Sequence, residues 1–296
     1  MNCLISIIVP TYNRADLIGE TLESVLAQSY GNWEVIVVDN HSTDNTEAVI
    51  SKYICDKRIR YIKHSRNYER ARSRNTGLQN ATGDFVTFLD SDDFIYPECL
   101  HDAYQFHLEN PGIKFFHTLY ELVDNNKKHI YSYKFPSLQN PYKALASGNF
   151  ISCIGGFLHK DIYKNIAFTE DPRMIGSEDY EIWFKVIAQY GVGRVNKVNC
   201  GIREHEGRSV NNGVYDNLEY QRVQLQEKIA SDKLLREKFG RYSGRLNCSY
   251  FLMEASVKGA MKQKKAALGR IKKAVMADFS VLQTRRFYAT LYNCLK

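Results

Sequence analysis

The first ninety residues alternate between two periodicities, and that alternation limits the possible folds more than any other feature. "ISIIVP" (5–10), "WEVIVVD" (33–39), "IRYIKH" (59–64) and "DFVTFLD" (84–90) are short, β-rich apolar runs. Between them, "LIGETLESVLAQS" (17–29) repeats Ile18, Leu22, Val25 and Leu26 at helical spacing. "NTEAVISKY" (45–53) reads as a second helix with Thr43 or Asp44 available as a cap, and "RARSRNTGLQNA" (70–81) as a third. Strands alternating with short helices need right-handed crossovers, which predicts a parallel sheet covered on both faces. Ligands of such sheets gather beyond the carboxyl ends of the strands. Three of the runs end there in polar residues: "PTYNR", "DNHSTD" and "DSDD". One shared crevice is the prediction.

The last of these, Asp90-Ser91-Asp92-Asp93, sets three carboxylates at the tip of an apolar run. Like charges so close repel, and desolvating them costs free energy unless a cation or a donor pairs with them. The cluster is either a solvated turn or a place that holds something positive. Strand alternation would put Asp90 and Asp92 on one side and Ser91 on the other.

Beyond residue 95 the pattern loosens into short strands, aromatics and loops as far as about 175. "SEDYEIWFKVIAQYG" (177–191) then carries Trp183, Val186, Ile187 and Tyr190 at helical spacing, with Gly191 where the helix should end and Glu178 and Asp179 in its first turn. A polar loop, "REHEGRSVNNG" (203–213), precedes a remainder of helical composition.

These residues carry a resemblance. "SIIVPTYNRADLIGETLESVLAQSYGNWEVIVVDNHSTDNT", "ERARSRNTGLQNATGDFVTFLDSDD" and "SEDYEIWFKV" resemble, in that order, the family 2 glycosyltransferases. The likeness covers roughly the first two-thirds of the chain, and three ordered motifs make it specific. It implies an inverting enzyme of the GT-A fold: an α/β protein with a Rossmann-like, mostly parallel sheet flanked by helices. The implied division is a transferase domain over 1–212, with a nucleotide-binding half (1–94) and an acceptor half (95–212). A basic helical C-terminal region (213–296) follows.

The resemblance also distributes roles. Asp90 and Asp92 match the D-x-D that binds the donor through a divalent cation, Mn²⁺ or Mg²⁺. Asp92 is expected as the direct ligand, and Asp90 as a ribose or water-mediated contact. Carboxylates approach a diphosphate only with a hard cation between, which agrees with that role. Ser91 lies within the same motif. Pro10, Thr11, Tyr12 and Asn13 would line the base and ribose. Asp39 would contact the base, and because a carboxylate accepts the imide hydrogen of uracil, UDP is the favoured nucleotide. Arg74 would touch base or diphosphate, or pair with nearby carboxylates. Asp179 would be the catalytic base, taking the proton of the acceptor hydroxyl as it attacks the anomeric carbon. Its place at a helix N-terminus favours the ionised form. His205 would reach metal or diphosphate, and Arg208 the phosphate oxygens.

Composition sets the remaining bounds. With 296 residues, 44% hydrophobic and 25% charged, the chain suits a globular protein of one large domain or two unequal ones. No stretch approaches the roughly eighteen apolar residues of a membrane span, and "LISIIVP" is too short for a signal peptide. Seven scattered cysteines without CxxC spacing point to a reduced, cytoplasmic protein. Residues 255–296 hold ten Lys and Arg against Asp278 alone. The whole chain is only +7, so the body before this tail is slightly acidic. Val257, Met261, Leu268, Ile271 and Val275 suggest one apolar stripe flanked by lysines. It could pack on the body or lie on anionic lipid, which would suit a lipid-linked glycan acceptor at the inner face of the membrane. No nucleic-acid motif accompanies the charge. A sugar-phosphate nucleotidyltransferase would need a glycine-rich loop that "VPTYNRAD" lacks, and no G-x-G-x-x-G marks a dehydrogenase. A carbohydrate-binding relative without turnover is the non-enzymatic rival.

Overall fold

A computed structural model describes residues 3–205 and 214–296, which fall into two compact units. The first comprises Met1–Phe135, Ile151–Pro172 and Tyr190–Glu206; the second comprises Pro136–Phe150, Arg173–Gln189 and Gly207–Lys296.

The first unit is built on a nine-stranded sheet. Its strands are β1 (Ile5–Thr11), β2 (Trp33–Asp39), β3 (Ile59–Lys63), β4 (Phe85–Phe88), β5 (Phe94–Ile95), β6 (Phe115–Val123), β7 (His129–Ser132), β8 (Gly156–His159) and β9 (Gly193–Arg203). The order is β3-β2-β1-β4-β8-β6-β9-β5, with β7 pairing β6. The first four strands pair in parallel, through the alternating helices α1 (Ile18–Leu26), α2 (Thr46–Ile50) and α3 (Glu69–Asn80). Past β4 the sheet is mixed: β8 runs antiparallel to both β4 and β6, and β9 runs parallel to β6 and antiparallel to β5. Helix α4 (Cys99–Glu109) follows β5.

Burial explains the uninterrupted apolar runs. All seven residues of β1 are buried, as are all of β2 but Glu34. Each Val, Leu or Ile so covered contributes roughly 1.5–3 kcal/mol. Helix α3 lies close on β1: a Cβ added to Gly77 would stand 2.3 Å from Ile8 Cγ2, so this approach requires glycine.

Register brings the polar strand ends to one edge. Thr11 pairs with Asp39 across β1 and β2, and Ile8 with Phe88 across β1 and β4. The fourth strand is shorter than its apolar run. It stops at Phe88, the Leu89 amide still donates to Ile8 at 2.9 Å, and Asp90–Asp93 close a turn in which the Asp93 amide donates to the Asp90 carbonyl at 3.0 Å. Strand alternation therefore does not govern the cluster. The turn nonetheless buries Ser91 and Asp93 and leaves Asp90 and Asp92 partly open.

The second unit is helical. Of the remaining helices, α5 (Pro141–Ala146) belongs to it and α6 (Lys160–Tyr163) to the first unit. It continues with α7 (Glu178–Tyr190, whose last residue is assigned to the first unit), α8 (Leu218–Ser231), α9 (Lys233–Phe239), α10 (Ser243–Ala260), α11 (Lys264–Ala277) and α12 (Arg285–Leu295). The apolar stripe expected along 257–275 is not one stripe. α10 ends at Ala260, Lys262 takes φ 59°, and α11 restarts at Lys264, so the two halves turn different faces inward. Ile271 joins Ala267, Ala274, Leu252, Phe287 and Cys294 in a core, while Met261 and Leu268 are exposed. Among the described residues no helix is long and apolar enough to cross a membrane.

Candidate active site

Three loops meet at the carboxyl edge of the parallel strands. After β1, Thr11 is buried and its hydroxyl has no hydrogen-bond partner among the described residues, while Tyr12 is open to solvent. Pro10 is buried. Asn13 turns into the left-handed region at φ 49°, where its amide donates to Ser42 Oγ at 2.9 Å and its Oδ1 accepts from the Thr43 amide at 2.9 Å. Asn13 thus ties the first loop to the second.

Asp39, at the end of β2, is wholly buried. Its Oδ1 accepts from the Ser42 amide at 2.8 Å and hydroxyl at 2.6 Å, and its Oδ2 accepts from Tyr61 at 2.7 Å. Burial first, and then the Asp39 carboxylate, push the Tyr61 phenol well up, so it stays a donor. Direct contact between Asp39 and a nucleotide base therefore requires Tyr61 or the Ser42 loop to yield. The neighbouring Asn40 is equally engaged, donating to Asn67 at 2.6 Å and accepting from the Tyr68 amide at 2.8 Å.

In the acidic turn each carboxylate has its own partner. Arg74, 2% exposed on α3, donates to Asp90 Oδ1 at 3.0 Å with its guanidinium over the Phe168 ring, so of its expected roles the carboxylate pairing is the one observed. Asp92 Oδ2 accepts from Arg14 Nε at 3.2 Å and lies 3.1 Å from His205 Nε2. Burial alone would raise the Asp92 pKa, but the His205 hydrogen bond and the Arg14 charge outweigh it and hold the carboxyl below its ordinary value. Asp93 Oδ1 accepts from the Arg203 amide at 2.9 Å and its carbonyl from Thr21 Oγ1 at 2.8 Å, a structural role.

Sequence reading did not single out Arg14 or Arg203. Arg203, 1% exposed at the end of β9, donates to the Asp92 carbonyl at 3.1 Å, to Glu20 Oε2 at 3.1 Å and to the Asn125 carbonyl at 3.3 Å. It pins the turn from behind. Arg14 was visible within "PTYNR" and Arg203 heads "REHEGRS", but nothing local tells an arginine which distant carboxylate it will meet. Arg208 lies outside the described residues.

Asp92 and His205 fit a divalent cation in donor type and spacing. Two neighbouring ligands about 2.1 Å from one octahedral ion stand roughly 3 Å apart, close to the observed separation. Among the described residues no three His, Cys, Asp or Glu side chains gather around a point, so further ligands would come from water and phosphate.

The second unit holds Asp179, half-buried in the first turn of α7. Its Oδ1 accepts from the Tyr180 amide at 2.6 Å, and its Oδ2 from Asn149 Nδ2 at 3.3 Å. The adjacent Glu178 is buried and turns back to accept from the Gly176 amide at 2.5 Å. One carboxylate stays half-exposed while its neighbour is turned onto the loop that precedes the helix.

Residues 6–166 match the family model described as Glycosyl transferase family 2. An Escherichia coli protein described as UDP-Glc:alpha-D-GlcNAc-diphosphoundecaprenol beta-1,3-glucosyltransferase WfgD is 32% identical over 199 residues, covering 67% of this chain and 74% of that one. Among solved structures, S. aureus TarS 1-349 in complex with UDP-GlcNAc superposes with a TM-score of 0.69 at 22% identity, over 98% of this chain and 88% of that one. A mannosyltransferase, PcManGT from Pyrobaculum calidifontis, in complex with GDP-Man and Mn²⁺, gives a TM-score of 0.62 at 18% identity, over 98% and 85%. The two structural likenesses speak for the fold.

Proposed function

The chain belongs to glycosyl transferase family 2 and is a glycosyltransferase of GT-A fold, and from that premise we propose that it transfers a sugar, with inversion, from a UDP-sugar to a hydroxyl of a lipid-linked glycan. The observation that carries the donor side is the Asp90–Asp93 turn at the edge where β1, β2 and β4 end, with Asp92 against His205 and Arg14. The printed name of the E. coli relative supports the UDP donor and the diphospholipid acceptor.

Pro10, Thr11, Tyr12 and Asn13 would line the nucleoside, with the buried Thr11 hydroxyl in need of a partner. Asp39 would read the base once its cover moves aside. Asp92 and His205 would hold Mn²⁺ or Mg²⁺, whose part is to offset charge on the diphosphate. Arg74 keeps Asp90 oriented toward the ribose. In the helical unit Asp179 takes the acceptor hydroxyl's proton while that oxygen bonds to the anomeric carbon and UDP departs from the opposite face. Asn149 and the Tyr180 amide hold the carboxylate for that step. Residues 1–212 would carry this chemistry and 213–296 the helical extension.

A membrane-facing role for the basic tail rests on α12. Phe287, Thr290 and Cys294 face inward, whereas Tyr288, Tyr292 and Leu295 form an exposed stripe on the other side. With Arg285 and Lys296 at its ends, this face suits the inner surface of an anionic membrane.

The test is transfer and donor hydrolysis across a panel of nucleotide sugars, with and without Mn²⁺. Asp179→Asn should bind donor and lose transfer, and Asp92→Ala should weaken metal-dependent donor binding. Normal transfer by Asp179→Asn would refute the base, and no UDP-sugar turnover under any metal condition would refute the donor.

A further inference from the structure

The helical unit contains a cavity of about 80 Å³ that the donor chemistry does not use. That is several times the roughly 10–15 Å³ of such space that one water needs. The walls include Ser147, Arg245, Ser249, Asp278, Thr284 and Arg286. Cys248, Leu252 and Val281 form the apolar part of the wall, and the two guanidinium groups, three hydroxyls and one carboxylate its polar part. Arg245 pairs with that carboxylate, Asp278 Oδ2, at 3.2 Å and donates to Ser280 Oγ at 2.7 Å. Arg286 has no carboxylate partner among the described residues. Its Nη1 donates to Ser249 Oγ at 3.0 Å and to the Ser147 carbonyl at 3.3 Å, and its Nη2 to the Ser249 carbonyl at 3.3 Å. Two of these three bonds are long for N–H···O, and a guanidinium has five N–H donors. The residue as a whole is exposed, but its guanidinium is desolvated, and burial pushes its pKa down. It lies in the first turn of α12, where the helix dipole adds positive potential.

The surrounding backbone keeps this donor set clear. Gly148 sits at φ 149°, and a Cβ there would stand 3.3 Å from Arg286 Nη1 and 3.6 Å from Ser249 Oγ. One residue further along, Asn149 donates to Asp179. The strap Ser147–Gly148–Asn149 therefore has the cavity at one end and the half-exposed carboxylate of α7 at the other. Two residues of chain span at most about 7 Å between their Cα atoms, so cavity and carboxylate are near neighbours along the strap.

We propose that this cavity is the subsite for the phosphate of the acceptor, a sugar carried on a phosphate or diphosphate whose reacting hydroxyl lies at Asp179. The assignment to the acceptor rests on Asp179 being the base; the capacity to bind an oxyanion does not. Arg286 forks onto the phosphate oxygens, Arg245 adds charge from a position fixed by Asp278, and the Ser249 hydroxyl completes the donor set. A sugar on a neutral aglycone would leave these donors unused, so the subsite selects phosphate-linked acceptors.

Inorganic pyrophosphate is the probe. The full chain is titrated with it calorimetrically without divalent metal and with saturating UDP present to fill any nucleotide site. One saturable site is expected, weakened at least about tenfold in Arg286→Gln and less in Arg286→Lys. In case Arg286→Gln does not fold, the unaltered protein is treated with phenylglyoxal, and pyrophosphate should protect Arg286 from modification. No binding in the presence of UDP, equal binding by Arg286→Gln, or absence of protection each overturns the site. In the acceptor arm, Arg286→Gln should raise the KM of a diphosphate-linked acceptor at least about tenfold more than that of the same sugar on a neutral alkyl chain. Equal effects on both overturn the acceptor assignment, as does loss of phosphatidylglycerol-vesicle binding in Arg286→Gln with acceptor KM unchanged. If pyrophosphate binds as stated but no acceptor is glycosylated, the oxyanion site stands and the proposed function fails.

Discussion

Arg203→Met tests whether the acidic turn is positioned from behind. The substitution keeps most of the side-chain volume and removes three donated bonds, to the Asp92 carbonyl, the Asn125 carbonyl and Glu20. Breaking a buried ion pair ordinarily costs about 3–5 kcal/mol, because one charge is stranded. Glu20 is not stranded: it is 42% exposed and keeps Lys127 at 3.0 Å. The cost therefore falls mainly on the Asp92 carbonyl, at about 1–3 kcal/mol, because Asn125 is exposed and its carbonyl can turn to water, while methionine retains apolar contact beside Phe94. A net loss of about 1–3 kcal/mol follows, which lowers Tm by roughly 2–5 °C for a chain of 296 residues. The Arg203 side chain is 1% exposed, so 1 M NaCl, with a Debye length near 3 Å, should leave the part of the loss carried by the Asp92 carbonyl largely intact. UDP affinity in Mn²⁺, read by calorimetry at a temperature where both proteins are folded, should fall about tenfold as Asp92 loses its backbone anchor. A Tm within about 1 °C of the unaltered protein, or full UDP affinity, would refute the reasoning.

Other perturbations probe separate parts of the structure. Gly77→Ala gains up to about 1 kcal/mol of helix propensity but forces a methyl into Ile8, at roughly 1–3 kcal/mol, so it should destabilise in urea titration. Combined with Ile8→Ala, the loss should be smaller than the sum of the two single losses, and simple additivity would show that the contact is not the cause. Because the Asp92 pKa is depressed in the folded protein, its stabilising contribution is complete above the unfolded value of about 3.9 and is lost as pH falls through the lower folded value. Asp92→Asn should accordingly flatten the acid limb of the Tm–pH profile below about pH 4, and an unchanged limb would argue against that linkage. Replacing Tyr288, Tyr292 and Leu295 together by Ser should reduce flotation on phosphatidylglycerol vesicles several-fold with little change in Tm; unchanged flotation would remove α12 as the contact.

Much of the first unit was legible because its information is local. The four parallel strands and three helices of the first ninety residues declared themselves through period, and most of their ends fell within a few residues of the expected bounds. Where the reading slipped, a longer-range influence intervened. β4 stops at Phe88 because the chain must turn to hand Asp93 to the Arg203 amide, 110 residues away. Asp39 is expected to contact a base, and period cannot show that Tyr61 from the neighbouring strand donates to it. The stripe from Val257 to Val275 kept helical spacing across a break, and periodicity cannot see that Lys262 takes a left-handed turn. Arg286 counted only as one charge of the basic tail and Arg245 drew no attention, since their shared cavity exists only once α10 and α12 pack.

The pairing within the acidic turn also bears on how fast a ligand arrives. Arg74 answers Asp90, Arg14 answers Asp92, and the Arg203 guanidinium, bonded to the Asp92 carbonyl, supplies a third positive charge beside Asp93. At any distance beyond the roughly 8 Å of physiological screening, such paired charges present little net field. An approaching diphosphate is then neither repelled by three carboxylates nor drawn in by exposed arginines. Its association rate should vary little with ionic strength, leaving discrimination between nucleotides to how long each stays bound.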